Sequence, residues 1–198
     1  MRHRALTPTL TPRRRSRRTQ REPAPRCATL LDRVDRVLEA HALPWRAAGD
    51  RIEWIGDRPL HETTIAPALR ALDDPRLADA RAAYEEALVR RRRGDPKSLE
   101  AAIHEAGKAV EASLKAVLAA HGVPPPKAQQ AASLWGSAVK AGLVAGMWEH
   151  TVLAASGPRN QLAGHPPAPG VPCATSADAD AAVGAAGVAL GVIARALN

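Results

Sequence analysis

The sequence predicts an all-α fold, a helical bundle preceded by a small N-terminal α/β accessory region and a basic tail. Apolar residues recur every three or four positions over several long stretches, which is typical of helices with one buried side. Aromatic residues make up only 3% of the chain and Phe is absent. A core built from Ala, Leu and Val favours close-packed helices over a sheet.

The chain divides into three predicted parts. Residues 1–26 contain nine arginines, four prolines and one acidic residue, so we expect a disordered Arg-rich tail. Residues 27–74 are predicted to form the small accessory α/β region, a helix followed by a hairpin and a short second helix. Residues 75–198 are predicted to form the helical domain.

The basic charge of the chain belongs to its tail. The net charge is +8, and residues 1–26 account for all of it, since the other residues carry nineteen basic and nineteen acidic side chains. We therefore expect the folded part to bind any polyanion through a local basic patch, because it has no overall positive charge. The tail itself has two interpretations, an RNA-binding arm or an unstructured extension, and charge runs favour the second.

The clearest predicted helix spans 96–122. Its buried stripe recurs at helical spacing, with Leu99, Ile103, Ala106, Val110, Leu114 and Val117. Its polar side carries Glu105, Lys108, Glu111 and Lys115, whose spacing predicts salt bridges along a solvated face. The final helix begins at a capping box formed by Thr175 and Asp178.

Four consecutive arginines, residues 90–93, precede Gly94 at the predicted end of a helix. Cations stabilise the carbonyl end of a helix, and Gly is favoured just beyond it. The alternative is a patch that contacts phosphate. We favour the structural interpretation, because the helix dipole already accounts for the placement.

The candidate catalytic residues lie in the segment PRNQLAGH, residues 158–165. Arg159 offers a planar fork of donors that matches phosphate oxygens and keeps its charge. His165 can transfer a proton near neutral pH. Cleavage of RNA by its own 2′-hydroxyl needs a base and a fixed positive charge at the phosphate, and it requires no metal in principle. We expect His165 on the turn after a helix that Gly164 ends, because six residues of helix would separate the two side chains.

The R-N-x4-H motif, placed after several helices and before a capped final helix, resembles the HEPN superfamily of all-α domains. Many of its members are metal-independent endoribonucleases of toxin–antitoxin and phage-defence systems. The segment 94–122, GDPKSLEAAIHEAGKAVEASLKAVLAAHG, followed by PRNQLAGH, is similar to the C-terminal domain of abortive-infection proteins. The resemblance covers residues 75–198. It implies a HEPN-like helical bundle and a homodimer in which two Arg–His pairs share one cleft.

The resemblance also implies roles for individual residues. Arg159 would hold the scissile phosphate, Asn160 would orient Arg159 or the substrate, and His165 would transfer the proton. Glu111 is the best candidate for the polar residue that family members often keep on the preceding long helix; its alternative is a salt bridge to Lys115. One departure is Pro166-Pro167, where the family commonly has Gly after the His.

The resulting hypothesis is a cytoplasmic endoribonuclease of a defence or toxin type, with RNA as substrate and an antitoxin or a nucleotidyltransferase as a possible partner. The alternative is a non-catalytic helical module that binds a nucleotide or such a partner. Neutral charge in the folded part and Pro166-Pro167 favour the alternative, whereas Arg, Asn and His together favour the enzyme.

Further features bear on compartment and cofactors. Cys27 and Cys173 give neither a metal spacing nor a disulfide framework, so we expect reduced thiols in a cytoplasm. No run of apolar residues approaches about 18, so we expect no membrane contact. His104, His121 and His150 do not fall into a zinc-ligand pattern, and we expect no metal or other cofactor.

Overall fold

A computed structural model describes residues 25–41, 43–48, 51–54, 58–157 and 174–198, and these are mostly helical, as predicted. The α-helices are α1 (Pro25–Ala40), α2 (Arg58–Leu60), α3 (Ala66–Ala71), α4 (Ala78–Arg93), α5 (Pro96–Ala120), α6 (Ala131–Lys140), α7 (Glu149–Ala154) and α8 (Ser176–Ala194). A hairpin is formed by β1 (Trp45–Ala48) and β2 (Arg51–Trp54), and within the described ranges short 3-10 turns occupy Pro75–Leu77, Gly146–Trp148 and Arg195–Leu197.

Helix α1 and the hairpin form a small N-terminal unit. The two strands are antiparallel, with Trp45 opposite Trp54 and Ala47 opposite Ile52, which confirms the predicted hairpin. The backbone N–H of Ala47 donates to Asp35 Oδ1 at 3.0 Å, so α1 holds the edge of β1. The helix begins at Pro25, within the segment predicted as tail.

The arginine run at the end of α4 joins this unit to the helical body. Each of its four guanidinium groups pairs with a different carboxylate: Arg90 with Glu86, Arg91 with Asp180, Arg92 with Asp35 and Arg93 with Glu39. Arg92, whose side chain is only 10% exposed, also donates to the carbonyl oxygen of Leu43 at 3.1 Å. The structure therefore supports the structural interpretation of the run, and the reason extends beyond the helix dipole to ion pairs with α1 and α8.

Helices α4 and α5 form a hairpin, and α8 packs against both. Gly94 ends α4 with a φ of +74°, a left-handed conformation that glycine adopts without steric cost. Asp95 then caps α5, because its carboxylate accepts from the backbone N–H of Ser98 at 3.0 Å. All six residues of the predicted α5 stripe are buried, which confirms the predicted orientation of this helix.

The segment between the hairpin and α4 contains a π-helical turn, His61–Ile65, between α2 and α3. Pro67 explains the wide turn, because it lacks an N–H and its ring crowds the carbonyl four residues earlier. The N–H of Ala66 instead bonds to the carbonyl oxygen of His61, five residues back. Ile65, Ala68 and Leu72 lie in the main core, so the helical body begins before residue 75.

Helix α8 is the central apolar helix of the body. With its following turn, it forms the stretch Ser176–Leu197, 22 residues with a mean hydropathy of 1.6, which is long and apolar enough to cross a membrane by length and composition alone. The expectation that no segment reaches this threshold is therefore corrected. Ten residues of α8 are buried in contacts with α3, α4, α5 and α7, and this central position accounts for its apolar composition.

Candidate functional site

The motif residues Arg159, Asn160 and His165 lie outside the described residues, as does the predicted helix end at Gly164. The described chain on either side is anchored to the body. Ala155, just after α7, is fully buried, and Ala174, just before α8, is buried in a cluster with Leu99 and Ile103. The segment 158–173 therefore connects two fixed points, and its second fixed point adjoins the N-terminal half of α5.

Helix α8 starts at the capping box predicted from the sequence. Thr175 Oγ1 accepts from the N–H of Asp178 at 3.2 Å, and the Asp178 carboxylate accepts from the N–H of Thr175 at 2.9 Å. The side-chain hydrogen bond from Thr175 contributes most to lowering the pKa of Asp178, because it stabilises the carboxylate. This reciprocal cap fixes where the chain re-enters the body after the motif segment.

Glu111 lies two turns beyond Ile103 on the polar side of α5 and is half-buried. It is engaged in an interaction, so it is not a free surface carboxylate. On the same helix Lys108 pairs with Glu105 at 2.8 Å, and Lys115 is exposed. Part of the predicted salt-bridge pattern is thus confirmed.

The side of α5 that carries Glu111 also carries His104 and Gly107. These three positions are spaced by three and four residues, so they follow one another along one side of the helix. His104 is half-buried and is also engaged in an interaction, and Gly107 is buried. His104 does not fit a zinc-ligand pattern, and its seven-residue spacing from Glu111 is the sequence signal that places both on one side of α5.

Among the described residues, two buried polar atoms have no hydrogen-bond partner: the indole Nε1 of Trp135 and the hydroxyl of Ser156. Such atoms cost free energy unless water or a ligand satisfies them. Ser156 immediately follows the buried Ala155 at the end of α7, close in sequence to the motif. The burial of this hydroxyl becomes apparent only in the fold.

The other candidate sites among the described residues are a surface groove, a possible metal cluster and the arginine run of α4. A groove of about 400 Å³ lies between α3, α8 and Trp148, and its walls are mostly small or apolar, including Gly187, Val188 and Gly191. Within the described ranges, no three His, Cys, Asp or Glu side chains come together as a potential metal site. The arginines of residues 90–93 are committed to carboxylates and do not form an open phosphate patch.

Comparison with known proteins assigns no relative to this chain. No family model matches the sequence, and neither a curated protein nor a solved structure is significantly similar to it.

Proposed function

We propose that this chain is a metal-independent endoribonuclease with a HEPN-like helical bundle, and that it acts in the cytoplasm in phage defence or as a toxin. The single observation that carries the proposal is the sequence motif Arg159-Asn160-x4-His165. Two further features support it: the described residues form a helical body, and a half-buried acidic residue, Glu111, lies on its long helix α5.

The proposed reaction is an attack of the ribose 2′-hydroxyl oxygen on the adjacent phosphorus. The bond from phosphorus to the 5′-oxygen breaks, which leaves a 2′,3′-cyclic phosphate and a 5′-hydroxyl. His165 removes the proton of the 2′-hydroxyl, and Arg159 stabilises the charge that accumulates on the phosphate oxygens. Asn160 and Glu111 orient Arg159, and a second protomer supplies the His165 that protonates the leaving oxygen, since two-fold symmetry repeats each residue across the axis.

The test is cleavage of a labelled RNA by the purified full chain in the presence of excess chelator. The wild type is expected to cut, and His165→Ala is expected to lose about 10²- to 10⁴-fold in rate, the usual contribution of a general acid–base group. Arg159→Ala is expected to lose about 10²- to 10³-fold, as for removal of an oxyanion donor. Glu111→Gln is expected to show a smaller loss.

Two control variants match these substitutions. His150→Ala removes an exposed histidine of α7, and Glu105→Gln removes the acid that pairs with Lys108 on the same helix as Glu111. Both should retain wild-type activity. Full activity of the His165→Ala variant would contradict the proposed role of this residue.

The second candidate function is a non-catalytic helical module that binds a nucleotide or a nucleotidyltransferase. The sequence Pro166-Pro167 directly after His165 favours this second function. Two prolines stiffen the chain at the point where catalysis would require the imidazole to turn back towards Arg159. An intact, folded protein that cuts no RNA in the assay above would favour this candidate.

A further inference from the structure

Helix α8 is apolar on its outer side as well as on the sides that pack against the body. This outer side consists of residues spaced by three or four that are exposed or half-buried: Ala177, Ala181, Ala185, Val188, Val192 and Arg195. Only 44% of the apolar window of this stretch is buried within the chain, although its mean hydropathy is 1.6. A helix that is apolar all round is normally buried. The outer side of α8 therefore has the character of an interface.

Larger apolar side chains extend this surface. Val188, at the middle of the outer side, is 42% exposed. Trp148 is 40% exposed and lines the same groove as Val188 and Val192. Met147, its neighbour in sequence, is 82% exposed. Exposed apolar side chains that adjoin a groove in this way are typical of a surface that contacts another protein.

The charges of α8 are confined to its two ends. Asp178 and Asp180 lie in its first turns, Arg195 directly follows its last residue, and residues 181–194 are all uncharged. A second copy of this helix, packed antiparallel, would bring each acidic end to a basic end, which makes the helix complementary in charge to itself. With Val188 at the centre, Arg195 of one copy lies opposite Ala181 of the other, one turn from its Asp178.

We propose that the outer side of α8 binds a second copy of this chain, with the two helices antiparallel about a two-fold axis near Val188. A two-fold axis brings opposite ends of the helix together without any further requirement, because each residue is repeated across it. The small side chains of Ala181 and Ala185 allow the two helix axes to approach closely. A helix that lies on a membrane is instead rich in Lys and Arg, and α8 with its following turn has one arginine and two acids.

This inference deepens the proposed function, which needs a second protomer, by naming the surface that holds it, and its test measures mass independently of cleavage. Sedimentation equilibrium of the full chain over a range of concentrations should show a species with twice the mass of one chain. Val188→Glu should raise the dissociation constant of this dimer about a hundredfold or more. The two-fold axis would place the two added carboxylates side by side, and like charges at an interface repel strongly.

Val37→Glu is the matched control, because Val37 is an exposed valine of another helix, α1. It should leave the dissociation constant unchanged, and circular dichroism should show that all variants remain folded. Arg195→Glu should weaken the dimer, since it places an acid near Asp178 of the other copy. Adding Ala181→Arg to this variant should restore the dimer, because the exchange recreates opposite charges across the interface.

Cysteine cross-linking tests the antiparallel arrangement. In a background of Cys27→Ser and Cys173→Ser, mild oxidation should join two copies of Val188→Cys through a disulfide, because this residue lies near the two-fold axis. Ala181→Cys should not cross-link, because antiparallel packing separates the two copies of this residue by about 21 Å along the helix. Cross-linking at Ala181 and not at Val188 would contradict the proposed packing.

The proposal is overturned if the wild type sediments as a single chain at every concentration, or if Val188→Glu dimerises as tightly as the wild type. A monomeric wild type that binds vesicles of phosphatidylglycerol, with binding lost in Val188→Glu, would also overturn it and would identify a lipid surface. A dimer that depends on Val188 but cuts no RNA would support the interface, while the endoribonuclease proposal fails.

Discussion

At the scale of single residues, Gly187 of α8 has the tightest surroundings among the glycines whose neighbours the structure describes. A Cβ atom at this position would lie 2.6 Å from the hydroxyl of Tyr84 and 2.9 Å from Cγ2 of Thr64. Tyr84 is fully buried, and its hydroxyl donates to the carbonyl oxygen of Val183 at 3.1 Å. Burial raises the pKa of this phenol, so it remains a donor at every ordinary pH.

Gly187→Ala should therefore destabilise the protein even though alanine favours helices. Displacing the Tyr84 hydroxyl leaves a buried donor without its acceptor, at a cost of about 1 to 3 kcal/mol. Gly191 lies one turn later with nothing within 4 Å of an added Cβ. Gly191→Ala should stabilise by about 0.5 to 1 kcal/mol. Urea unfolding of both variants measures the difference, and stabilisation by both would show that the contact at Gly187 is not tight.

At the scale of elements, Asp35 holds the N-terminal unit to the body. Its carboxylate pairs with Arg92 and accepts the N–H of Ala47, so one residue connects α1, β1 and α4. Asp35→Ala leaves the Arg92 side chain, which is only 10% exposed, without its carboxylate, at a cost of about 1 to 3 kcal/mol. We expect the unit to open locally while the helical body remains folded.

Hydrogen exchange measures this opening directly. Amides of α1 and the hairpin should exchange faster in Asp35→Ala, and amides of α5 and α8 should be unchanged. Asp32→Ala is the matched control, because Asp32 is an exposed residue of the same helix. Equal exchange in both variants would mean that the unit docks by other contacts.

The sequence predicted elements whose determinants are local. The stripe of α5, the Gly94 terminus of α4 and the Thr175–Asp178 capping box each depend on residues within a few turns, and all three are observed. The sequence did not predict the ion pairs of the arginine run. Asp180 lies 89 residues from Arg91, and Asp35 lies 57 residues from Arg92. No local pattern specifies such contacts; they arise only once α1 and α8 are packed.

The candidate site divides in the same way. Arg159, Asn160 and His165 form a local sequence motif, and the place of Glu111 on a predicted helix makes it a candidate. The side of α5 on which His104 lies and the burial of the Ser156 hydroxyl at the end of α7 depend on packing, so the sequence does not predict them.

At the scale of the whole molecule, the excess positive charge and the proposed catalytic motif lie in different parts of the chain. The net charge of +8 lies in residues 1–26, and the remaining residues are neutral. The proposed catalytic motif lies near the other end, between α7 and α8. The proposed chemistry therefore belongs to the helical body, far along the chain from the charged tail.

The most direct test of the central claim is the chemical nature of the fragment ends. RNA is incubated with the wild type in excess chelator, and the products are analysed for their 5′ and 3′ termini. The proposed mechanism predicts 5′-hydroxyl ends and 2′,3′-cyclic phosphate or 3′-phosphate ends, which should disappear with Arg159→Ala or His165→Ala. Fragments with 5′-phosphate ends, or cleavage only when a divalent metal ion is added, would contradict it.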